Sequence, residues 1–451
     1  MTGARRRNVE AALLVLAAAI AVGGWWLTAL GQSPTGSVPG DGVAKYAAVF
    51  LGLYLVAHLA VRRLAPEADA LFLPLAALLN AIGFVLIASL AKPIGNPGLA
   101  DAQARWLAVS VLAFVSVLVF VRDVRSLARY RYSMAALGVA LILLPVLPGL
   151  GKEVNGARLW IRLGGLSFQP AELGKIVLVI FFAAYLTERR ELLSVATRKV
   201  GPIGVPEARH FGPVVAAWAI SMLVLVRQKD LGSSLLFFGI FVVMLWMATA
   251  RPAYSIVALA LFALGAVFAY HAFGHVRARV LVWENPFKDA TGSGFQVVQS
   301  LFALATGGVW GTGLGLGRPE LIGKSSVHTD FIFSALGEEL GLAGTTAVLT
   351  ASALFTMRGF GLATRCRDDF SKLLAAGLAT TLALQTLLIV GGVTNLIPLT
   401  GVTLPFMSYG GSSLLSNFIL VALLLRISDE AARQTGEGQP TEINAPAGGA
   451  R

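Results

Sequence analysis

HVRARVLVWENPFKDATGSGFQ, residues 275–296, and VHTDFIFSALGEELG, residues 327–341, bound a polar island between two long apolar blocks. A segment holding Arg277, Arg279, Glu284, Lys288 and Asp289 cannot lie in hydrocarbon without a large cost, because lipid offers neither water nor counter-charge. It must rest on one face of a bilayer. That reading decides the fold, because the rest of the chain is apolar enough to be membrane. The 451 residues are 56% hydrophobic and only 13% charged, with a mean hydropathy of +0.75. Soluble domains carry about 25% charged residues.

Mostly apolar windows of 18 or more residues recur along the chain. They predict an all-α polytopic protein with about 12 spans, near 11–30, 44–61, 70–91, 105–121, 133–150, 170–187, 212–226, 231–249, 253–274, 329–357, 373–393 and 405–425. The net charge of +12 invites a nucleic-acid partner, but the position of the charges argues against one. Most Lys and Arg fall on one side of the predicted spans, with clusters at Arg122–Arg131, Arg189–Lys199 and Arg358–Arg367. This is the positive-inside bias, and it predicts cytoplasmic termini with the 275–328 loop outside. The basic-then-apolar N-terminus reads as an uncleaved first span. Cys366 is the one cysteine, so an intrachain disulfide or thiolate metal cluster is excluded.

Asp289 is the sharpest chemical candidate. It follows Pro286 and Lys288 and precedes Gly292 and Gly294, a composition suited to a turn. A carboxylate there can accept a hydroxyl proton as a general base. Lys288, Arg277 or Arg279 would hold its pKa down, or grip an anionic leaving group. From the loop alone, a solvated surface aspartate is the favoured reading. Lys152, Arg158, Arg162, Arg227, Lys229, Arg277 and Arg279 form an excess of cations on the outer face. Guanidinium groups suit a phosphate or diphosphate ligand, and anchoring to anionic headgroups is the competing reading.

Charges at span ends form a third set. Glu172 and Lys175 stand three apart on one helical face and can pair. Asp230, Asp330, Glu338 and Glu339 face either a cavity or a structural partner. His328 and Asp330 lack a third ligand at metal-site spacing. GRPELIGKSS (317–326) imitates a phosphate-binding loop, but Gly317 stands one residue too early for that motif. The run GGVWGTGLGLG (307–317) lacks the strand–turn–helix context of a dinucleotide site and reads as close-packing loop backbone.

Five longer stretches carry a family resemblance. They are NGARLWIRLGGLSFQPAELGKI (155–176), QKDLGSSLL (228–236), NPFKDATGSGFQVVQSLFALATGGVWGTGLG (285–315), HTDFIFSALGEELGLAG (328–344) and NLIPLTGVTLPFMSYGGSSLLSNF (395–418). In this order they resemble the SEDS family (shape, elongation, division and sporulation), from about residue 150 to the last span. The resemblance implies a core of ten spans preceded here by two more. It also implies a glycosyltransferase that polymerises lipid II, the undecaprenyl-diphosphate-linked disaccharide pentapeptide. Asp289 matches the family's catalytic aspartate, and Glu172 and Lys175 match a charged pair lining its central cavity. Arg158, Arg162 and the Ser408–Ser413 run, with Ser408 and Ser412, fall in other shared motifs. Asp230, Arg277, Arg279 and Lys288 complete the expected substrate-binding set. Ala290 replaces the usual proline after the catalytic aspartate, and Lys229 replaces a proline before Asp230.

The implied organisation is a cytoplasmic N-terminus (1–10), N-terminal spans (11–150), the family core (151–428) with a catalytic outer loop (275–328), and a disordered tail (429–451). The implied partner is a class B penicillin-binding protein. No cofactor motif is visible, and a divalent cation beside the diphosphate is the one such group left open. A lipid flippase and a non-catalytic scaffold are the rival readings, and both predict that Asp289 is dispensable. The short termini favour the elongation branch of the family over the division branch.

Overall fold

Apolar windows become helices wherever they are long enough and unbroken by proline. The computed structural model describes residues 3–437 apart from 34–39, 148, 155–156, 164–165, 196–197, 201–202, 206–218 and 220–229. The helices are α1 (Gly3–Gly31), α2 (Gly40–Leu64), α3 (Phe72–Ala91), α4 (Leu99–Phe120), the single turn α5 (Ser126–Arg129), α6 (Arg131–Leu143) and α7 (Pro170–Val195). They continue with α8 (Leu231–Thr249), α9 (Pro252–Ala272), α10 (Gly274–Glu284), α11 (Phe295–Gly307), α12 (Ile332–Arg365), α13 (Asp369–Val393) and α14 (Gly411–Glu437).

Among the described residues nine helices are long and apolar enough to cross a membrane, or ten if the pair meeting at Phe273, bent by 104°, forms one span. Among the described residues this is fewer than the expected count of about 12. The 212–226 span lies outside the described residues. The 133–150 segment gives only the 13-residue α6 and a 3₁₀ turn, Leu144–Val146, because Pro145 cannot continue the hydrogen-bond ladder.

Large apolar side chains face outward in belts, including Leu51, Leu55, Val56 and Leu59 on α2 and Ile256, Leu259, Leu264, Val267 and Phe268 on α9. Water would not tolerate patches of this extent, whereas lipid solvates them. Helix α3 is the opposite case, buried along nearly its whole length between α1, α4, α12 and α14.

Two small antiparallel sheets accompany the helices, both outside the long helices. Strands β1 (Gly151–Val154), β2 (Ala157–Leu163) and β3 (Leu166–Phe168) form the first, with Val154 opposite Ala157 and Leu163 opposite Leu166. The sequence Asn155-Gly156 between β1 and β2 is a hairpin signal, and the branched and aromatic residues of RLWIRL suit a strand. Strands β4 (Arg198–Val200) and β5 (Ile203–Val205) form the second.

Both expected termini need correction. Residues 3–10 belong to α1, where Arg7 and Glu10 are buried and paired with each other, and Arg7 also caps the Ala68 carbonyl. Helix α14 runs to Glu437, so residues 429–437 are not a disordered tail. Polar anchoring explains the extension. Asp429 accepts from the Glu67 amide at 2.8 Å and pairs with Arg433 at 2.7 Å. Glu430 accepts from the Val124 amide at 2.9 Å, and Arg426 donates to the carbonyls of Leu64 and Leu118. The arginine-rich ends of α2, α4 and α14 are thereby tied together. Residues 438–451 lie outside the described residues.

Helix α12 is broken at Gly341, whose φ of 64° and ψ of −163° no ordinary side chain adopts. The glycine run 307–317 threads against this break. The amides of Thr312 and Gly313 donate to the Glu338 and Glu339 carbonyls at 2.9 and 3.0 Å, and those of Leu342 and Ala343 donate to Gly308 and Val309. Free backbone groups of a broken span need such partners in a membrane protein. Close packing, expected from the glycines, is what the run provides.

Candidate active site

Asp289 closes a 3₁₀ turn, Pro286–Asp289, between α10 and α11. Asn285 starts the turn by accepting from the Phe287 amide at 3.1 Å. Gly294 is required beside it, because a Cβ there would overlap the Pro286 carbonyl, and a Cβ at Gly292 would displace the Asp289 carboxylate. The carboxylate is exposed, and its Oδ2 accepts from the Ser293 amide at 2.7 Å and the Ser293 hydroxyl at 2.8 Å. These bonds favour the charged form and hold its pKa below the ordinary 3.8. Here the structure departs from the sequence reading, which assigned that role to Lys288, Arg277 and Arg279. Ser293, not a cation, keeps Asp289 ionised.

The arginines of α10 diverge. Arg277 is exposed, donates to the His271 carbonyl at 3.2 Å and lies over the Tyr270 ring. Arg279 turns inward, donating to the Leu399 and Thr400 carbonyls at 3.2 Å, and lies near both Asp230 and Asp330. Lys288 stays exposed. Asp230 caps α8, accepting from the Ser233 amide at 3.0 Å and hydroxyl at 2.7 Å. Burial pushes the Asp230 carboxyl upward and that of Asp330 to about 6. Both acids thus lie within electrostatic reach of the Arg279 guanidinium.

A second polar group lies deeper, among α7, α13 and the start of α14. Glu172 and Lys175 pair at 2.7 Å, both buried. Lys175 also donates to Gln385 Oε1 at 3.2 Å, and the Gln385 amide donates to the Thr403 carbonyl at 2.9 Å. Thr403 donates to Ser413 at 2.8 Å, and Ser416 reaches Glu172 at 3.4 Å. Gln385 was not singled out from the sequence, although a lone amide within an apolar span is the signal that marks it.

Other expected ligands are committed to the scaffold. Ser408 Oγ donates to the Thr329 carbonyl at 2.6 Å and accepts from the Leu404 amide at 2.9 Å. Ser412 Oγ accepts from the Gln169 amide at 2.7 Å. Arg158 and Arg162 are exposed on β2, while Arg227 and Lys229 lie outside the described residues. The side chain of Lys152 is likewise not described. The His328 carbonyl accepts from the Tyr409 amide at 2.8 Å, and its ring lies 5.3 Å from that of Tyr409. Glu338 accepts from the Arg318 amide at 2.8 Å. Among the described residues no three His, Cys, Asp or Glu are arranged to hold a metal ion.

The family model for FtsW, RodA and SpoVE, described as a cell cycle protein family, matches residues 69–433. The chain belongs to the FtsW/RodA/SpoVE family. The peptidoglycan glycosyltransferase RodA of Mycobacterium tuberculosis is 48% identical over 435 residues, 95% of this chain and 92% of its own. A probable peptidoglycan glycosyltransferase FtsW of Geobacter metallireducens is 34% identical, covering 80% of this chain and 94% of its own. Among solved structures, a peptidoglycan synthase complex that coordinates polymerisation and crosslinking contains a chain that matches with a TM-score of 0.65 and 28% identity, covering 81% and 98% of the two chains. RodA of Thermus thermophilus matches at 0.58 and 26%, covering 80% and 96%. The FtsW/RodA/SpoVE match leaves α1, α2 and the first part of the α2–α3 connection outside it, whereas the mycobacterial similarity extends over almost the whole chain.

Proposed function

We propose that Asp289 is the general base of this peptidoglycan glycosyltransferase and that its substrate is lipid II. The acceptor's sugar 4-hydroxyl oxygen attacks the anomeric carbon of the donor and inverts it. The new glycosidic C–O bond forms as the bond to undecaprenyl diphosphate breaks. The hydroxyl proton passes to Asp289, and the diphosphate leaves with the electron pair. The observation that carries this reading is an exposed carboxylate, clamped at Oδ2 by Ser293 and ionised at neutral pH, at the end of a turn that glycine alone allows to close. A base needs a reachable carboxylate in its charged form, and this one has both properties.

Arg279, with Asp230 and Asp330, and the Lys175–Glu172 pair form the polar region offered to the diphosphate. Arg158, Arg162, Arg277 and Lys288 are exposed where a headgroup would approach. The reading leaves room for one divalent cation beside the diphosphate. The positive-inside pattern supports cytoplasmic termini and an extracellular 275–328 loop in the bacterial cytoplasmic membrane. A class B penicillin-binding protein is the partner that would cross-link the product. Greater identity to the RodA relative than to the FtsW relative supports a role in elongation.

The test compares wild type with Asp289→Asn in lipid II polymerisation, alone and with a transpeptidase-dead cognate penicillin-binding protein. The amide keeps the shape but cannot take the proton. A loss of at least about 100-fold with retained folding and partner binding is expected. Equal glycan from both proteins would overturn the base assignment. No glycan from either, with the partner bound, would move the reading to lipid II transport or scaffolding, and a flipping assay would separate those.

A further inference from the structure

Phe406 has a φ of 63°, a left-handed conformation that a side chain with a Cβ adopts only where its surroundings impose it. It lies in the polar-lined segment 401–410 that leads into α14. Helix α3 presses on this segment. Gly83 has no room for a side chain because a Cβ would overlap the Met407 backbone. One helical turn away, Asn80 Nδ2 donates to the Phe406 carbonyl at 3.0 Å, and Asn80 is completely buried. Asn80 Oδ1 in turn accepts from the Tyr54 hydroxyl at 3.3 Å.

The order of these bonds matters. An amide can rotate to present either its oxygen or its NH2 group. With the oxygen engaged by the Tyr54 hydroxyl, the NH2 group is directed at the Phe406 carbonyl. The reverse orientation would set two carbonyl oxygens against each other. Tyr54 is held among Phe50 and Phe418, with ring centroids at 4.5 and 6.2 Å, so its hydroxyl has a fixed place.

The turn that Asn80 holds has ties on both sides. After Phe406, Ser408 bonds the carbonyl of Thr329, next to Asp330, and the Tyr409 amide bonds that of His328. Before it, Thr403 receives Gln385, which bonds Lys175. The left-handed turn therefore sets the spacing between the Asp330 side of the polar region and its Lys175–Glu172 side. Tyr54 lies on α2, ahead of the residues 69–433 that match the family.

We propose that Tyr54 and Asn80 are positioning residues for glycosyl transfer, a hydrogen-bonded relay by which the added N-terminal helix α2 fixes the Phe406 turn and thus the polar region below the catalytic loop. The proposal rests on the reading of that region as the diphosphate site. Neither residue touches the reacting atoms. The relay gives the N-terminal helices a role in catalysis beyond anchoring.

The full-length protein in detergent micelles, with lipid II as the probe, provides the test. Asn80→Asp retains the size but replaces the donor with an acceptor, and Tyr54→Phe removes only the hydroxyl. Asn80→Asp is expected to lower kcat about 10-fold with a much smaller change in KM, as for a small displacement of catalytic groups. Tyr54→Phe should lower kcat by about 3-fold, and the double variant should be no worse than Asn80→Asp, because the two act in series. Hydrogen–deuterium exchange should rise in peptides spanning 401–410 in both single variants. Lipid-facing Leu55→Ala should leave kcat and exchange at wild-type values.

Wild-type kcat and unchanged exchange in both single variants, with only thermal stability reduced, would reduce the relay to packing and overturn the proposal. Raised exchange at 401–410 with kcat unchanged would overturn it as well, since the turn would then not govern catalysis. Lys175→Gln, measured alongside, tests the diphosphate reading separately. If that variant matched wild type in kcat and KM, the reading of the site would fail whatever the exchange data showed.

Discussion

Asp289 and Asp330 are both carboxylates of the 275–331 loops, and their surroundings drive them in opposite directions. Two bonds from Ser293 keep Asp289 charged, at the cost of basicity, whereas burial raises Asp330 to about 6. The raised pKa means that the folded state holds the Asp330 proton more tightly than the unfolded chain does. Its contribution to stability is full below the unfolded value of about 3.9 and is lost as pH rises through about 6. Wild type should therefore lose thermal stability between pH 5 and pH 7 relative to Asp330→Asn, as followed by melting in detergent. Parallel melting curves for the two proteins would reject the shift. Asp289 itself could be found in the sequence from its turn composition and family motif. Ser293 as its clamp could not, because three residues of irregular backbone separate the two, and only the turn's path brings amide, hydroxyl and carboxylate together.

At the scale of elements, the Glu172–Lys175 pair and the break in α12 set how the helices meet. The pair follows directly from i, i+3 spacing on α7. Its burial, and its extension through Gln385 to the 401–410 segment, required α13 to pack alongside. Removing one member leaves a buried charge without its partner, so Lys175→Met should destabilise the fold by roughly 3–5 kcal/mol. The double variant Glu172→Gln/Lys175→Met should recover most of that loss. Denaturation of the three proteins under one condition checks this, and an equal loss in the single and double variants would refute it. In α12, Gly341→Ala places a Cβ against the Gly311 amide and the Val309 carbonyl, in a backbone conformation that alanine disfavours. A cost of about 1–3 kcal/mol or more, with reduced glycan synthesis, is the expected result. Where most of the long helices lie was readable from hydropathy. The break was not, because a glycine within an apolar run marks kinks and uninterrupted spans alike.

On the scale of the whole molecule, polar anchors gather at the two ends of an apolar bundle. One end joins α2, α4 and α14 through Arg426, Asp429 and Glu430, with Asp69 paired to Arg358 of α12. The other carries the 275–331 loops, their exposed Asp289, and the small β1–β3 sheet near the start of α7. In the proposed topology, the end that carries Asp289 faces outside. A cysteine at Ser325, in a Cys366→Ser background, should react with an impermeant maleimide added to intact spheroplasts, whereas one at Arg365 should react only after permeabilisation. Labelling in the reverse order would invert the topology and remove Asp289 from the outer face.

Sequence by itself determined that this chain is a helical, multi-pass membrane protein, which ionisable residues lie at its boundaries, and to which family it belongs. Those properties are local or additive: a run of apolar residues must be helical in lipid, and a motif reads the same wherever the chain carries it. The tertiary structure decided which polar groups share a site. It turned Arg279 inward to Asp230 and Asp330 while Arg277 faced outward, committed Ser408 and Ser412 to backbone partners, and brought Asn80 to a carbonyl 326 residues away. The physical reason is that a side chain's partner depends on helix rotation and on contacts between distant segments. Neither has a period or a composition that a single sequence can display.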